Sequence, residues 1–229
     1  MAHNHNNHFA DPAAIASYVE NAQNNVPGLT DLHRMVMLLL AEHAQGPADI
    51  LVVGAGGGME TKAMAEAQPE WRFTGVDPSA AMLALARQTL GSLGQRVTLI
   101  EGTIDQVLEG PFDGATCLLT MHHLDRSQRL HLLRETRARL KPGAPLVTVE
   151  HSAPSPGAEL WLARSVAFSD RSGPDWDKAR SSGRRMAEHL TLLASEAEQD
   201  LLREAGFGSV ALFYAAFSFR GWVATAGTT

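Results

Sequence analysis

Apolar runs alternate with longer, more polar segments through the middle of the chain. Five runs are short and mostly apolar, as buried strands are: residues 50–53, 71–76, 96–100, 112–120 and 144–150. Between them lie three segments with the length of helices: residues 60–67, 80–90 and 126–140. Strands that alternate with helices predict a parallel, doubly wound α/β sheet.

The last part of the chain departs from this alternation. Two apolar runs, residues 210–215 and 217–224, are separated too briefly for a crossover helix, so they must pair antiparallel. We therefore expect a seven-stranded sheet that is parallel except for a terminal antiparallel hairpin. Before that hairpin, residues 195–204 predict a helix with Ser195 as its cap and Glu198 completing a capping box.

Other helical segments are expected near the edge of the sheet where a ligand would bind, here called the ligand mouth. Residues 12–22 and 29–43 predict two helices that precede the sheet and pack beside that mouth rather than inside the core. Residues 159–193 are mostly polar and helical, with breaks near Gly173 and Gly183. Because this segment lies where the α/β alternation lapses, it predicts a mobile helical lid.

The N-terminus is expected to lie outside the fold. Residues 1–8 alternate histidine and asparagine, which could chelate a metal, but a frayed terminus or a tag is the favoured interpretation. We expect residues 1–10 to be disordered. Residues 11–229 are expected to form a single domain, with the lid inserted at about residues 156–193.

The first strand runs directly into a cluster of glycines, residues 54–58, here called the glycine turn. Glycine allows backbone to lie against a ligand where a Cβ atom would collide. The second strand ends in Asp77, about twenty residues later, where nucleotide-binding βαβ units place an acid against ribose hydroxyls. A dinucleotide fingerprint requires glycine or alanine at its third position, which is Met59 here.

This combination, with a helix starting at once after Asp77, resembles the class I S-adenosylmethionine (SAM)-dependent methyltransferases over residues 50–224. The resemblance implies a Rossmann-like methyltransferase fold and SAM as the cofactor. It implies these cofactor-binding residues: Gly54, Ala55, Gly56 and Gly57 beneath the methionine moiety, Asp77 at the ribose, Pro78 and Met82 beside the adenine, Thr103 and Ile104 at the adenine edge, and Thr120 along the methionine portion. Many members carry a carboxylate where this chain has Thr103, and Asp105 could substitute for it.

Within the family, the chain resembles the carboxy-S-adenosylmethionine synthases of wobble-uridine tRNA modification. The shared features are the turn at residues 26–28, the ending that starts at residues 205–207, and the stretch at residues 184–186. The chain has Leu29 and Leu118 where that branch carries polar pocket residues, so the resemblance implies the branch's architecture and not its product.

An arginine of that branch meets the ligand's carboxylate, which implies that Arg184 is a substrate-binding residue. Adjacent positions point about 100° apart on a helix, so Arg185 should face away. An arginine fork suits a carboxylate because it donates two parallel hydrogen bonds. The alternative is a solvated basic face that includes Lys178 and Arg180.

Two histidines are candidates for a general base, which is needed only if the acceptor must lose a proton. His122 directly follows the fourth strand and His151 lies just past the fifth. Imidazole titrates near neutrality, although each histidine could instead be structural. We expect His123 to point away from His122, and no metal site, because nothing at helical spacing joins these histidines to Asp125.

The amino-acid composition limits the kinds of binding partner that the protein can have. The 229 residues, with 45% hydrophobic and 19% charged content, fit a soluble globular domain. The net charge of −6 argues against a nucleic-acid-binding face, and no apolar run reaches the roughly 18 residues that span a membrane. The single cysteine, Cys117, excludes an intramolecular disulfide and fits a reducing compartment. We expect a cytoplasmic protein that forms a homodimer.

The function that these features favour is methyl transfer from SAM to a small-molecule acceptor. A SAM-modifying enzyme similar to the carboxy-S-adenosylmethionine synthases is one alternative, and a SAM-binding protein without turnover is another. A dinucleotide oxidoreductase is disfavoured by Met59.

Overall fold

The computed structural model describes residues 21–154, 157–173 and 175–227. The histidine and asparagine run and residues 12–20 of the first predicted helix lie outside this part of the chain. Residues 21–25 are helical, so that helix ends at Asn25 rather than at Ala22. Within the described residues, no helix combines the length and the apolar character needed to cross a membrane.

One sheet of seven strands forms the centre of the described structure, in the order β3-β2-β1-β4-β5-β7-β6. The strands are β1 (Ala48–Val53), β2 (Trp71–Asp77), β3 (Val97–Glu101), β4 (Gly114–Leu118), β5 (Pro145–His151), β6 (Phe207–Ala216) and β7 (Phe219–Ala226). Strands β1 to β5 pair in parallel, whereas β7 pairs antiparallel with both β5 and β6. The predicted doubly wound sheet with a terminal antiparallel hairpin is confirmed.

Helices cover both faces of this sheet. They are α1 (Leu29–Ala41), α2 (Met59–Ala67), α3 (Ala80–Leu90), α4 (Arg126–Ala138), α5 (Ala158–Ser169), α6 (Trp176–His189) and α7 (Ser195–Glu204). The strand order reverses between β1 and β4. Ligands of open α/β sheets bind at such a reversal, beyond the carboxyl ends of the strands.

The core has two layers because successive side chains of a strand point to opposite faces. On one face Leu51 packs with residues of α4 and α7. On the other face Ile50 packs with Leu32 and Val36 of α1, both of which are fully buried. The prediction that the helix before β1 stays outside the core is therefore wrong. Its apolar stripe covers the sheet, and its first turns reach the ligand edge.

Two local predictions about helices are also wrong. Gly183 does not interrupt a helix but lies inside α6, where a Cβ atom would stand 2.7 Å from the backbone nitrogen of Ala163. Glycine is needed there because α5 and α6 touch backbone to backbone. Ser195 is the first residue of α7 and makes no capping bond, while Glu198 accepts a hydrogen bond of 2.8 Å from Trp222 Nε1 instead.

Candidate cofactor and active site

Neighbouring residues of the protein, and not only a ligand, require glycine in the glycine turn. Gly54 has φ +73°, and a Cβ atom there would lie 2.0 Å from Thr120 Oγ1. Gly58 has φ +79°, and its Cβ atom would lie 3.0 Å from Cα of Ala86 in α3. Glycine is the residue that tolerates both this conformation and this proximity. The turn between these two positions borders an open cavity.

This cavity, here called the turn cavity, has a volume of about 50 Å³. Besides the glycine turn, its walls come from the helical residues 21–25, α1, the start of α2 and the end of β4: Ala22, Leu29, Leu32, His33, Met59, Glu60, Leu118 and Leu119. Sites for ligands of drug size are roughly 300–1,000 Å³. The turn cavity alone is therefore too small to enclose a nucleoside-sized ligand.

Leu119 adds local strain to that second wall. Its φ is 57°, in the left-handed region that residues with a branched side chain rarely adopt. Its backbone N–H donates to the carbonyl of Val149 at 2.6 Å, which fixes the strained residue to β5. Residues held in such conformations are common at ligand sites.

Asp77 ends β2 beside the turn cavity, and its carboxylate fastens the glycine turn to α3. Oδ2 accepts from the Gly56 N–H and Oδ1 from the Ser79 N–H, each at 2.9 Å. Burial raises the pKa of Asp77, while the bonds from Ser79 and Gly56 act in the opposite direction. A carboxylate has about four lone-pair positions, so the predicted contact to a ribose remains compatible with these two bonds.

The residues predicted at the adenine are less accessible than the sequence suggests. The side chains of Met82 and Ile104 are buried. Thr103 is exposed and donates to Asp105 Oδ2 at 3.0 Å, while Asp105 Oδ1 pairs with His131 Nε2 at 2.8 Å. Asp105 is therefore not a free carboxylate that could replace the one missing at position 103. Pro78 is exposed next to Asp77.

His122 lies in a 3-10 turn, Met121–His123, that follows β4, and Glu150 of β5 organises that turn. One carboxylate oxygen of Glu150 accepts from the backbone N–H groups of Thr120 at 3.2 Å and Met121 at 2.9 Å. The other accepts from the His122 N–H at 3.0 Å and lies 2.6 Å from His122 Nδ1. The role of Glu150 was not predicted from the sequence. The feature that could have indicated it is a carboxylate near the end of a strand that is otherwise apolar.

His151 lies next to this pair but differs from it chemically. Its Nδ1 is 2.8 Å from Ser218 Oγ, its ring stacks on Phe219 at 4.1 Å, and its ring centre is 5.1 Å from that of His122. Burial, with His122 and His123 nearby, lowers the pKa of His151 to about 3. A base that weak is poorly matched to catalysis near neutral pH, so we do not assign His151 that role.

His123 does not point away from His122, and that prediction is wrong. The two ring centres are 4.3 Å apart, because the chain leaves the strand geometry at this turn. Among the described residues, no group of three His, Cys, Asp or Glu side chains is arranged to hold a metal ion. Cys117 is fully buried within β4, and burial raises the pKa of its thiol.

Two further titratable residues of the turn cavity were missed by sequence analysis. Glu60 Oε1 accepts from Thr116 Oγ1 at 2.6 Å, and burial raises the pKa of Glu60 to about 8. His33 lies on the opposite wall, and burial lowers its pKa to about 4. The one sequence feature that could have indicated that Glu60 lines the cavity is its position directly after the glycines and Met59.

Arg184 lies in a second cavity, here called the helical cleft, between α5 and α6. The cleft has a volume of about 760 Å³ and is lined by these residues: Ala153, Gly157, Ala158, Glu159, Leu160, Ala163, Arg180, Arg184, Ala187, Leu190 and Leu192. Arg185 instead donates to Ser181 Oγ and Ser182 Oγ at 2.9 Å each, so the adjacent arginines diverge as helix geometry predicts. The helical cleft shares no lining residue with the turn cavity.

Comparisons with known proteins agree with this geometry. Residues 51–146 match the sequence profile of a methyltransferase domain. The carboxy-S-adenosyl-L-methionine synthase of Chromohalobacter salexigens is 28% identical over 220 residues, which are 93% of this chain and 82% of that protein. The phenazine-1-carboxylate N-methyltransferase of Pseudomonas aeruginosa is 36% identical over 117 residues, 48% of this chain and 34% of that protein.

A solved structure has the same architecture. The pyocyanin biosynthetic protein PhzM superposes with a TM-score of 0.62 and 25% identity, covering 83% of this chain and 54% of that one. This chain thus spans about half the length of PhzM. The profile match and the relatives cover the glycine turn, Asp77 and β4. The chain is similar to SAM-dependent methyltransferases over this region, and these similarities support SAM as its cofactor.

Proposed function

We propose that this protein transfers the methyl group of SAM to a small-molecule acceptor, with His122 as the general base. The pair formed by His122 and Glu150 carries this proposal, since Nδ1 and Oε2 are 2.6 Å apart at the ligand edge of the sheet. A carboxylate bonded to Nδ1 holds the proton on that nitrogen. The lone pair of Nε2 is then available to accept a proton from the acceptor.

Bound SAM supplies an electrophilic methyl group on a sulfonium. The protein's own task is to align the acceptor and to exclude water, and positioning of this kind contributes roughly 7–11 kcal/mol in well-oriented systems. The glycine turn supplies close backbone, and Leu29, Leu32 and Leu118 form an apolar wall against water. His122 receives the acceptor's proton, and the negative charge of Glu150 stabilises the imidazolium that results.

The helical cleft is the proposed acceptor site, with Arg184 as the residue that meets an anionic group. Arg180 and Arg184 are four positions apart on α6 and both line the cleft, so they face the same ligand. The cleft also adjoins the proposed base, because Leu190 and Leu192 line it while Thr191 donates to the His122 carbonyl at 2.9 Å.

An aromatic carboxylate fits these features. The cleft joins arginines to an apolar wall, and a related sequence is named for methyl transfer to phenazine-1-carboxylate. The direct test incubates the purified protein with SAM labelled in its methyl group and a panel of aromatic carboxylates that carry a hydroxyl or a ring N–H group, either of which loses a proton on methylation. Transfer of label to any of them, lost in His122→Gln, supports the proposal. Calorimetry that detects no SAM binding contradicts it.

A second candidate is modification of SAM itself. It is favoured by the similarity to a carboxy-S-adenosyl-L-methionine synthase over 93% of the chain. Mass spectrometry of the nucleoside product separates the two candidates. Methyl transfer yields S-adenosylhomocysteine, whereas a synthase supplied with a carboxyl-donating co-substrate yields a SAM derivative that carries an additional carboxyl group.

We also propose that α5 and α6 act as the lid of a single domain. Contacts that would change on opening are the 2.7 Å bond between Ser165 Oγ and Ser218 Oγ and the bond from Thr191 to His122. Hydrogen exchange should show stronger protection of both helices when S-adenosylhomocysteine is bound. Equal protection in the two states would argue against a lid.

The cellular location and the oligomeric state of the enzyme are separate proposals. We propose a cytoplasmic location, because a single, fully buried cysteine is compatible with a compartment in which thiols stay reduced. We propose a homodimer in solution, which analytical ultracentrifugation tests directly. A mass equal to one chain across the micromolar range would contradict it.

A further inference from the structure

Glu60 is a buried acid for which the described residues provide no positive partner. It lies in the first turn of α2, directly behind the glycine turn, and its side chain lines the turn cavity although the residue is only 8% exposed. No lysine, arginine or histidine of the described residues forms an ion pair with it. Burying a carboxylate without a counter-charge is unfavourable unless something compensates.

Hydrogen bonding inside the protein uses only part of this carboxyl group. Oε1 accepts from Thr116 Oγ1 at 2.6 Å, and Thr116 lies in β4 opposite Val52, so the bond joins α2 to the centre of the sheet. Oε2 makes no hydrogen bond to a described residue. Glutamine would preserve the bond to Thr116, so structure alone gives no reason for an acid at this position.

The charges around Glu60 make ionisation more difficult. Burial is the main cause that raises the pKa to about 8, and Glu150 of β5 adds a like charge. Other titratable groups near the cavity are His33 of α1, whose lowered pKa leaves it neutral, Asp77 at the end of β2, and the buried thiol of Cys117 in β4. On the same helix, Lys62 and Glu66 pair with each other at the surface, 3.9 Å apart.

We propose that Glu60 receives a positively charged group of the bound cofactor and loses its proton when the cofactor binds. SAM carries two positive centres, the α-ammonium and the sulfonium, whereas S-adenosylhomocysteine keeps only the ammonium. Either centre would supply the counter-charge that the described residues do not provide. The inference rests on SAM binding, and it is independent of which acceptor is methylated and of the role of His122.

Cofactor binding should therefore be coupled to pH in a defined direction. At pH 7 the empty site is mostly protonated, since the pKa of Glu60 is about 8. If the cation prefers the ionised form, the apparent affinity follows the ionised fraction and rises about tenfold between pH 6 and pH 7. Binding at pH 7 should release close to one proton. If a ligand carboxylate instead stabilised the protonated form of His33, binding would take up a proton from solvent, which is the opposite sign.

Isothermal titration calorimetry tests the proposal with SAM and S-adenosylhomocysteine, at pH 7, in two buffers of different ionisation enthalpy. The unmodified protein should release a proton. Glu60→Gln should release none and bind at least about tenfold more weakly. Glu66→Gln, an exposed acid on the same helix, is the matched control and should behave as the unmodified protein.

The two ligands identify the positive centre. Weaker binding of both ligands to Glu60→Gln points to the ammonium, and weaker binding of SAM alone points to the sulfonium. Proton release by the unmodified protein is informative even if the variant folds poorly. SAM binding without proton release, or unchanged affinity in Glu60→Gln, overturns the role of Glu60. Failure of both ligands to bind the unmodified protein overturns the cofactor assignment as well.

Discussion

The turn cavity and the helical cleft are built in opposite ways. The turn cavity is about 50 Å³, and its ionisable wall residues, Glu60 and His33, have pKa values moved by burial. The helical cleft is about 760 Å³, and its two arginines are exposed. Substitutions in the turn cavity should therefore disturb packing and binding together. Substitutions in the helical cleft should change acceptor choice while the fold remains intact.

Replacement of the proposed base, His122, should have the largest effect, because it removes the group that accepts the proton. His122→Gln should lower kcat by about 10²–10⁴-fold, because proton transfer by a positioned base contributes that much. Cofactor affinity should be unchanged. Single-turnover kinetics with labelled SAM and calorimetry measure the two quantities on the same sample.

His151→Gln is the matched comparison, since its ring centre is only 5.1 Å from that of His122. It should keep most of the activity, because the pKa of about 3 makes His151 a poor base. Equal losses in both variants would mean that the histidine cluster serves packing rather than proton transfer.

A substitution in the glycine turn should disturb both the packing of the fold and the binding of SAM. Gly54→Ala places a methyl group 2.0 Å from Thr120 Oγ1 on a backbone with φ +73°. We expect a loss of about 2–4 kcal/mol in the free energy of unfolding, from overpacking and backbone strain together. Urea denaturation measures the loss, and calorimetry should show weaker SAM binding.

Gly46→Ala separates the two causes of that loss. Gly46 also has a left-handed backbone, φ +90°, but a Cβ atom there meets nothing within 4 Å. This variant should lose only the strain contribution, about 1 kcal/mol, and bind SAM normally. Equal destabilisation by the two variants would contradict a packing role for Gly54.

Stability should fall as the pH rises, because two buried carboxyl groups are held protonated. The pKa values of Glu60 and Glu198 are raised to about 8 from 4.5, so the folded protein binds more protons than the unfolded chain between those values. The free energy of unfolding should decrease by up to about 1.4 kcal/mol per pH unit for each group, from about pH 4.5 to pH 8.

Chemical denaturation at several pH values measures this slope. Glu198→Gln should reduce it by about half while leaving SAM binding unchanged, since Glu198 bonds to Trp222 Nε1 and not to the turn cavity. Glu60→Gln should reduce the slope to a similar extent and also weaken SAM binding. A slope that neither variant changes would show that other groups govern the pH dependence.

Substitutions in the helical cleft should have the smallest effect and should not lower the free energy of unfolding. Arg184→Met should weaken binding of an aromatic carboxylate such as 2-naphthoate by about tenfold, the expected loss of one charge-assisted contact. Arg185→Met should change nothing, because that side chain bonds to Ser181 and Ser182. Fluorescence titration measures both, and equal affinities would make Arg184 a solvated surface charge.

Sequence reasoning succeeded where the relevant residues are close along the chain. The glycine turn and Asp77 belong to one βαβ unit, and the divergence of Arg184 and Arg185 follows from one helical turn. It failed where the partner is distant. Thr116 is 56 positions from Glu60, and Glu150 is 28 positions from His122. No local pattern shows that such side chains meet.

Gly183 illustrates the second kind of failure. Glycine has a weak helix propensity, which suggested a break, but tertiary packing routinely overrides propensity. Two other predictions failed for a similar reason. Ser195 was expected to cap a helix but makes no capping bond, and α1 was expected to lie outside the core but packs its apolar stripe on the sheet. In each case the neighbour that decides the outcome comes from another element of the fold.

The close contact at Gly183 lets α5 and α6 pack backbone to backbone. A Cβ atom added at position 183 would stand 2.7 Å from the Ala163 nitrogen, so a larger residue there would push the two helices apart. We therefore expect the two helices to move together, with the movement concentrated near Gly157 and residues 190–193. A chimera that transplants acceptor choice from a related enzyme would have to exchange both helices together, because either one alone would bring a mismatched surface to the glycine contact.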